Sequence, residues 1–225
     1  MNEWRKAHRE VIDETLSFLN SKTDGFILKG GTALLTCYGL DRFSEDIDFD
    51  GRQRDIIPLV EALCAENGYS FRVAKDTETV KRAMIHYGNE SKPLKVEVSF
   101  RRANIPDDET TKINGIAVYN IDPLCMMKVG AYLNRDKIRD LYHVTFICNN
   151  YYDKLSPQTI FFLRNAIENK GIEQFDYIVR QNTDELIDTA KLADDFLNMY
   201  DKLGLLYDRH EKKVIDSILL SRESK

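Results

Sequence analysis

The chain is poor in several features that would each have named a function class. Its 225 residues include only four cysteines. Cys37, Cys64, Cys125 and Cys148 lie far apart and show no zinc-ligand or redox spacing. That excludes a zinc finger or dithiol site and leaves structural thiols in a reducing cytoplasm as the expectation. No apolar run approaches the roughly 20 residues needed to span a bilayer. The N-terminal stretch MNEWRKAHREVIDE is charged throughout and lacks the apolar core of a signal peptide. Neither a membrane span nor a membrane partner is therefore expected. Basic residues are outnumbered, 32 Lys and Arg against 37 Asp and Glu, for a net charge of −5, which argues against bulk non-specific nucleic-acid binding. A local basic groove stays open, from Lys81-Arg82, Arg101-Arg102 or the series Lys128, Arg135, Lys137 and Arg139; a solvated charged face is the alternative for each. The four histidines are dispersed, and no His/Asp/Ser or Cys/His order suggests a hydrolase triad. Internal repeats and low-complexity tracts are missing too. What remains, 43% hydrophobic and 31% charged residues, is an ordinary globular chain able to bury a sizeable core.

Organisation changes near residue 120. Before it, helical and alternating segments mix. Trp4 to about Asn20 reads as a helix with Val11, Ile12, Thr15, Leu16 and Leu19 on one stripe. Asp55 to Asn67 is a second helix, with Ile56, Leu59, Val60 and Leu63 inward. Strand-like pieces follow at Ser70 to Ala74, Val80 to Tyr87, Leu94 to Phe100 and Ile113 to Val118. Residues 1–120 thus read as an α/β domain on a mixed sheet. From Asp122 the pattern is helical. Asp122-Pro123 reads as an N-cap and first helical position, opening a segment to about Leu133. Further helices are expected from about Lys137 to Asn149, Ser156-Pro157 to Asn169, Asp184 to Tyr200 and Asp208 to Leu220. Residues 121–225 read as a helical bundle.

The densest chemistry lies in FILKGGTALLTCYGLDRFSEDIDFD, from Phe26 to Asp50. A short apolar run ends in Gly30-Gly31, a helical segment starts at Thr32, and a loop carries Arg42 and Ser44. In the closing strand Asp46, Asp48 and Asp50 alternate with Ile47 and Phe49. A strand repeats every two residues, so the aspartates share one face while Ile47 and Phe49 point into a core. Like charges on one face call for a cation. Glycines opening a helix let phosphate oxygens approach bare N–H groups at its positive end. A tight turn and a solvated strand face are the bland alternatives, but the two features meet across one short helix. Together they suggest a metal–nucleotide site.

GGTAL followed by R-x-S-x-D-I-D-F resembles the AbiEii/AbiGii toxin family of nucleotidyltransferases, a branch of the DNA polymerase β-like superfamily. The strong match covers Lys29 to Phe49, and a weaker one covers Met127 to His143. The resemblance implies an α+β fold: a nucleotidyltransferase-type mixed sheet with helices, followed by a C-terminal helical bundle. It implies Gly30, Gly31, Thr32, Arg42 and Ser44 as nucleotide-binding residues, and Asp46 and Asp48 as catalytic metal ligands. Glu97, on the polar face of a later strand, resembles the superfamily's third carboxylate, which helps bind metal and draws the proton from the attacking hydroxyl. A strand glutamate paired with Lys95 is its alternative. In MMKVGAYLNRDKIRDLYHVTFI, Lys128, Arg135, Lys137, Arg139 and Asp140 match the family's helical lysine, basic loop and arginine–aspartate pair. Lys128 and Arg135 would offset charge on departing pyrophosphate, and Asp140 would orient Lys128 or hold a nucleotide contact. His143 stands where many relatives carry a second aspartate. A surface helix stitched by ion pairs is the alternative here.

The expected activity is two-metal, pyrophosphate-releasing transfer of a nucleoside monophosphate, with Mg²⁺ or Mn²⁺ and a nucleoside triphosphate as substrate. The acceptor would be tRNA, another RNA or a protein. The resemblance also implies a toxin role in a toxin–antitoxin or abortive-infection system, with an antitoxin as partner. A catalytically silent nucleotide-, RNA- or protein-binding module on the same fold is one competing reading. A metal-dependent phosphohydrolase or kinase is another, though Thr32-Ala33 stands where a Walker motif needs its lysine. Tyr38 and Phe43 are candidate shelves for a base.

Overall fold

The computed structural model describes residues 3–52, 55–88, 92–102, 104–181 and 184–206, and the chain divides into two compact units at Asn120/Ile121. The first opens with α1 (Glu3–Lys22), whose predicted stripe of Val11, Ile12, Thr15, Leu16 and Leu19 is buried. Thr15 is tolerated there because its hydroxyl donates to the Val11 carbonyl at 2.7 Å, which gives the buried hydroxyl a partner. Then come β1 (Phe26–Lys29), α2 (Gly30–Cys37), β2 (Asp46–Gly51) and α3 (Ile57–Asn67). The rest of the unit is β3 (Ser70–Asp76), β4 (Val80–His86), β5 (Leu94–Ser99), β6 (Thr110–Ile113) and β7 (Ile116–Tyr119).

These strands form one mixed sheet in the order β3-β4-β5-β2-β1-β7-β6. The strand that matters, β2, lies inside it, antiparallel to β1 and parallel to β5. Its alternation explains the placement. Ile47 and Phe49 are fully buried, as are Val96 and Val98, their partners in register on β5. Each such side chain contributes roughly 1.5–3 kcal/mol of transfer free energy. A one-residue slip of β2 would expose Ile47 and Phe49 and turn Asp46 and Asp48 toward the core, so the core fixes which way the acidic face points.

Three expectations for this unit shift in detail. The alternation from Ile113 to Val118 is a hairpin rather than one strand: Asn114 and Gly115 both have positive φ, 51° and 81°, the backbone that an Asn-Gly two-residue turn supplies between β6 and β7. In α3, Cys64 is buried while Leu59 is half-buried. The first helix runs two residues beyond Asn20.

The second unit is helical: α4 (Ile121–Asn134), α5 (Ile138–Tyr151), α6 (Pro157–Gln181) and α7 (Thr189–Lys202). Asp122 does not cap α4. It sits in the first turn, where its carboxylate accepts from the Ser156 backbone N–H at 2.6 Å and the Ser156 hydroxyl at 3.2 Å. The helix expected to stop at Asn169 continues past a break at Gly171 (φ 68°, ψ 176°). Ile172, Phe175, Ile178 and Val179 beyond the break are buried, so packing restarts the helix after the glycine interrupts it. The last described helix starts at Thr189 rather than Asp184, because Asp188 caps it by accepting from the Ala190 and Lys191 N–H groups. The helix expected over 208–220 lies outside the described residues. All four cysteines are free, and Cys64, Cys125 and Cys148 are buried. Among the described residues no helix is long and apolar enough to cross a membrane.

Candidate active site

The predicted stretch folds into a compact corner. Strand β1 runs into α2 at Gly30, whose φ of +80° turns the chain. A Cβ added there would sit 3.2 Å from Asp48 Oδ2, so the missing side chain lets the Asp48 carboxylate lie against the opening of α2. The helix has no side-chain cap, and its first N–H groups, which have no partner within the helix, are the donors an anion would use. Thr32 is fully buried. Its hydroxyl bonds that of Ser44 at 2.9 Å and donates to the Asp46 carbonyl. Thr32 and Ser44 therefore tie α2 to the start of β2. Arg42 is 5% exposed, and one guanidinium N–H donates to the Phe43 carbonyl at 3.2 Å.

Asp46 and Asp48 face one cation. Lys95 Nζ lies 3.0 Å from Asp46 Oδ2 and 3.2 Å from Asp48 Oδ1. Burial alone would lower the Lys95 pKa, but attraction to Asp48 and then Asp46 outweighs it, and the pKa is raised. Parallel pairing causes the meeting: Lys95 is opposite Asp46 in register and Glu97 is opposite Asp48. Glu97, the candidate third carboxylate, is paired with Arg82 rather than with Lys95. Its Oε2 is held by Arg82 on β4, at 2.5 Å from Nε and also by a terminal guanidinium nitrogen. Among the described residues no group of three or more His, Cys, Asp or Glu converges as a metal cluster. Asp46 and Asp48 are a pair of donors brought together at Lys95. Two carboxylates already shared by one cation are the oxygen-only donor set that suits Mg²⁺ or Mn²⁺.

The third aspartate of the strand behaves differently. Asp50 is buried, with Lys29 Nζ 2.5 Å from Oδ1 and the Tyr119 hydroxyl donating to Oδ2 at 2.9 Å. Burial, and then the Asp50 charge, push the Tyr119 pKa up, so its phenol stays a donor. The base shelves suggested by sequence are otherwise engaged. Tyr38 donates its hydroxyl to the Tyr119 carbonyl at 2.7 Å. Phe43 packs edge-on against Trp4 and His8, at 6.0 and 5.9 Å between ring centroids.

Among the dispersed histidines, His8 is fully buried, and nothing in the sequence pointed to its partners. Its Nε2 meets the Glu45 carbonyl at 2.8 Å and its Nδ1 the Tyr87 hydroxyl. A carbonyl can only accept, so Nε2 carries the proton and Nδ1 accepts from Tyr87. His8 thus anchors the residue just before Asp46. The 79-residue separation between His8 and Tyr87 is why periodicity alone gave no sign of it.

In the helical unit, Lys128 is 8% exposed and Asp140 fully buried. Both Asp140 oxygens are taken by Arg135, at 2.6 Å from Nε and 2.9 Å from a terminal nitrogen. Arg135, presented by the turn between α4 and α5, is thus a partner of Asp140 beside the expected roles of orienting Lys128 or holding a nucleotide contact. Arg139 lies 3.9 Å from Asp184, and Lys137 is exposed. His143 is buried.

A sequence model of the nucleotidyl transferase AbiEii toxin family, of a type IV toxin–antitoxin system, matches residues 17–214. Among solved structures the chain is similar to JHP933 from Helicobacter pylori, with 25% identity over 98% of this chain and 99% of that one, at a TM-score of 0.76. It is equally similar to a candidate nucleotidyltransferase from H. pylori, with 25% identity over 94% and 98% of the two chains, at a TM-score of 0.75. No curated protein sequence matches it.

Proposed function

The chain belongs to the AbiEii nucleotidyl transferase toxin family, and from that premise we propose that it moves a nucleoside monophosphate from a nucleoside triphosphate to an acceptor with the help of Mg²⁺ or Mn²⁺. The observation that carries this reading is the Asp46/Asp48 pair, facing one cation, with the Asp48 carboxylate lying against the glycine corner that opens α2. In the reaction the acceptor oxygen bonds to the α-phosphorus as the bond to pyrophosphate breaks. A divalent cation at Asp46 and Asp48 supplies charge neutralisation on the phosphates. Gly30 and Gly31 leave backbone N–H groups accessible to phosphate oxygens. Thr32 and Ser44 fix the corner's geometry rather than offer free hydroxyls, and Arg42 supports the same loop from within.

Lys128 and Arg135 are the proposed cations for charge on departing pyrophosphate. Arg135 is anchored for this by Asp140, which makes Asp140 a positioning residue. Glu97 is the proposed third carboxylate, and for it to hold a second metal or accept a proton Arg82 has to share it. The proposed acceptor is RNA, tRNA included, or a protein. The proposed setting is the toxin half of a toxin–antitoxin or abortive-infection pair, with the antitoxin as protein partner.

The test is incubation with each of the four α-labelled triphosphates, Mg²⁺, and either total RNA or total protein. Label should pass to one acceptor class with release of pyrophosphate, and Asp46→Asn/Asp48→Asn should stop it. Free phosphate in place of pyrophosphate would overturn the reading in favour of a hydrolase.

A further inference from the structure

We propose that Lys95 is a resident cation of the Asp46/Asp48 pair, which it leaves only when a divalent ion and a nucleoside triphosphate arrive together. This rests on the reading that Asp46 and Asp48 hold the metal. The placement of Lys95 is built into the sheet. It stands opposite Asp46 in the parallel β2–β5 register, and its ammonium bridges the two carboxylates at 3.0 and 3.2 Å. The other carboxylates on this face have their own cations: Asp50 has Lys29 and Glu97 has Arg82. Asp46 and Asp48 share Lys95.

Charge balance shows why the arrangement is conditional. Two carboxylates and one ammonium leave the cluster with one net negative charge. A divalent ion added with Lys95 still in place would turn that into one positive charge, with two cations competing for the same oxygens. Lys95 must therefore withdraw when the metal binds. Its side chain is 23% exposed, so withdrawal without a new partner strands a partly desolvated charge. A triphosphate lodged at the Gly30 corner, beside Asp48, supplies anionic oxygens for the displaced ammonium. Metal and nucleotide then each raise the affinity for the other, a coupling between two ligands that runs through one side chain. The site resists free divalent ions and loads as the metal–nucleotide pair.

The test measures Mn²⁺ binding by electron paramagnetic resonance in the full-length protein, with and without a non-hydrolysable triphosphate. Lys95→Met should bind Mn²⁺ alone at least tenfold more tightly than wild type. The triphosphate should raise Mn²⁺ affinity at least tenfold more in wild type than in Lys95→Met. Lys95→Gln removes the same charge and stands in if the methionine variant does not fold. Mn²⁺ affinity no higher in either variant than in wild type overturns the proposal while leaving the metal site intact. Mn²⁺ binding that survives Asp46→Asn/Asp48→Asn, or is absent from every protein, overturns the metal reading itself and this inference with it.

Discussion

At the Gly51 end of β2, Asp50 is 4% exposed and has both oxygens assigned, one to Lys29 and one to Tyr119. At the other end of the same face, the Asp46 and Asp48 side chains are 48% and 33% exposed and divide a single ammonium between them. Three chemically identical residues at the same strand period are thus put to two uses. A buried carboxylate with dedicated partners is held for stability, since any loss of a partner leaves its charge uncompensated. A half-exposed pair with too little positive charge is open to a ligand that brings more.

The sharpest way to break this comparison is to neutralise each end in turn. Asp46→Asn/Asp48→Asn removes two ligand charges and adds no bulk. Nucleotidyl transfer should fall by at least about three orders of magnitude, roughly 4 kcal/mol of transition-state stabilisation, with the urea midpoint nearly unchanged. Asp50→Ala should show the reverse order of effects: a stability loss of about 3 kcal/mol, because the Lys29 charge and the Tyr119 hydroxyl lose their acceptor. Equal loss of stability at both ends would mean that all three aspartates are structural.

The helical unit offers the same contrast at second size. Asp140, fully buried and bidentate with Arg135, resembles Asp50. Asp140→Ala should lower the thermal midpoint as well as turnover. Lys128→Ala should cut turnover by about two orders of magnitude, roughly 3 kcal/mol, with KM for the triphosphate changing less than kcat. Turnover unchanged in Lys128→Ala would return that lysine to a packing role.

A smaller effect is expected at Gly30. Alanine there must adopt a φ of +80°, which costs about 1 kcal/mol, and its Cβ would press on Asp48 Oδ2 at 3.2 Å. Gly30→Ala should weaken triphosphate binding by calorimetry more than it lowers stability. Unchanged affinity would reduce the corner to a tight turn.

The features legible in the sequence were those that repeat locally. Period two put Ile47 and Phe49 in the core and the aspartates on one face, and the 3.6-residue stripe of α1 was read correctly from Val11 to Leu19. Partners that depend on strand order were not legible. Glu97 was correctly seen on the polar face of its strand, yet nothing local says that β4 delivers Arg82 to it or that β5 delivers Lys95 to Asp46. The same limit hid the bond from Tyr119 to Asp50 across 69 residues. The hairpin at Asn114-Gly115 is a different kind of miss. Its turn residues were in plain view, but the alternation on both sides ran through them as if unbroken.

The last and smallest effect concerns how the Asp46 end is held in place. His8 is buried with Nε2–H on the Glu45 carbonyl, one residue before Asp46. Burial lowers its pKa below the usual 6.5; the bond to the Glu45 carbonyl and the charges of Glu45 and Asp46 oppose the shift, while Lys92 adds to it. The unfolded chain therefore takes up a proton at a pH where the folded protein does not. Stability contributed by neutral His8 is complete above pH 6.5 and is lost as pH falls from there through the folded-state value. One proton sets the ceiling on that slope, about 1.4 kcal/mol per pH unit. Urea midpoints between pH 7.5 and 5 should drop more steeply in wild type than in His8→Gln, which offers an N–H to Glu45 but cannot titrate. Transfer activity should follow the same difference if His8 fixes the Asp46 end. Parallel pH profiles for the two proteins would mean that the Glu45 carbonyl is held by the surrounding packing, with no dependence on the imidazole.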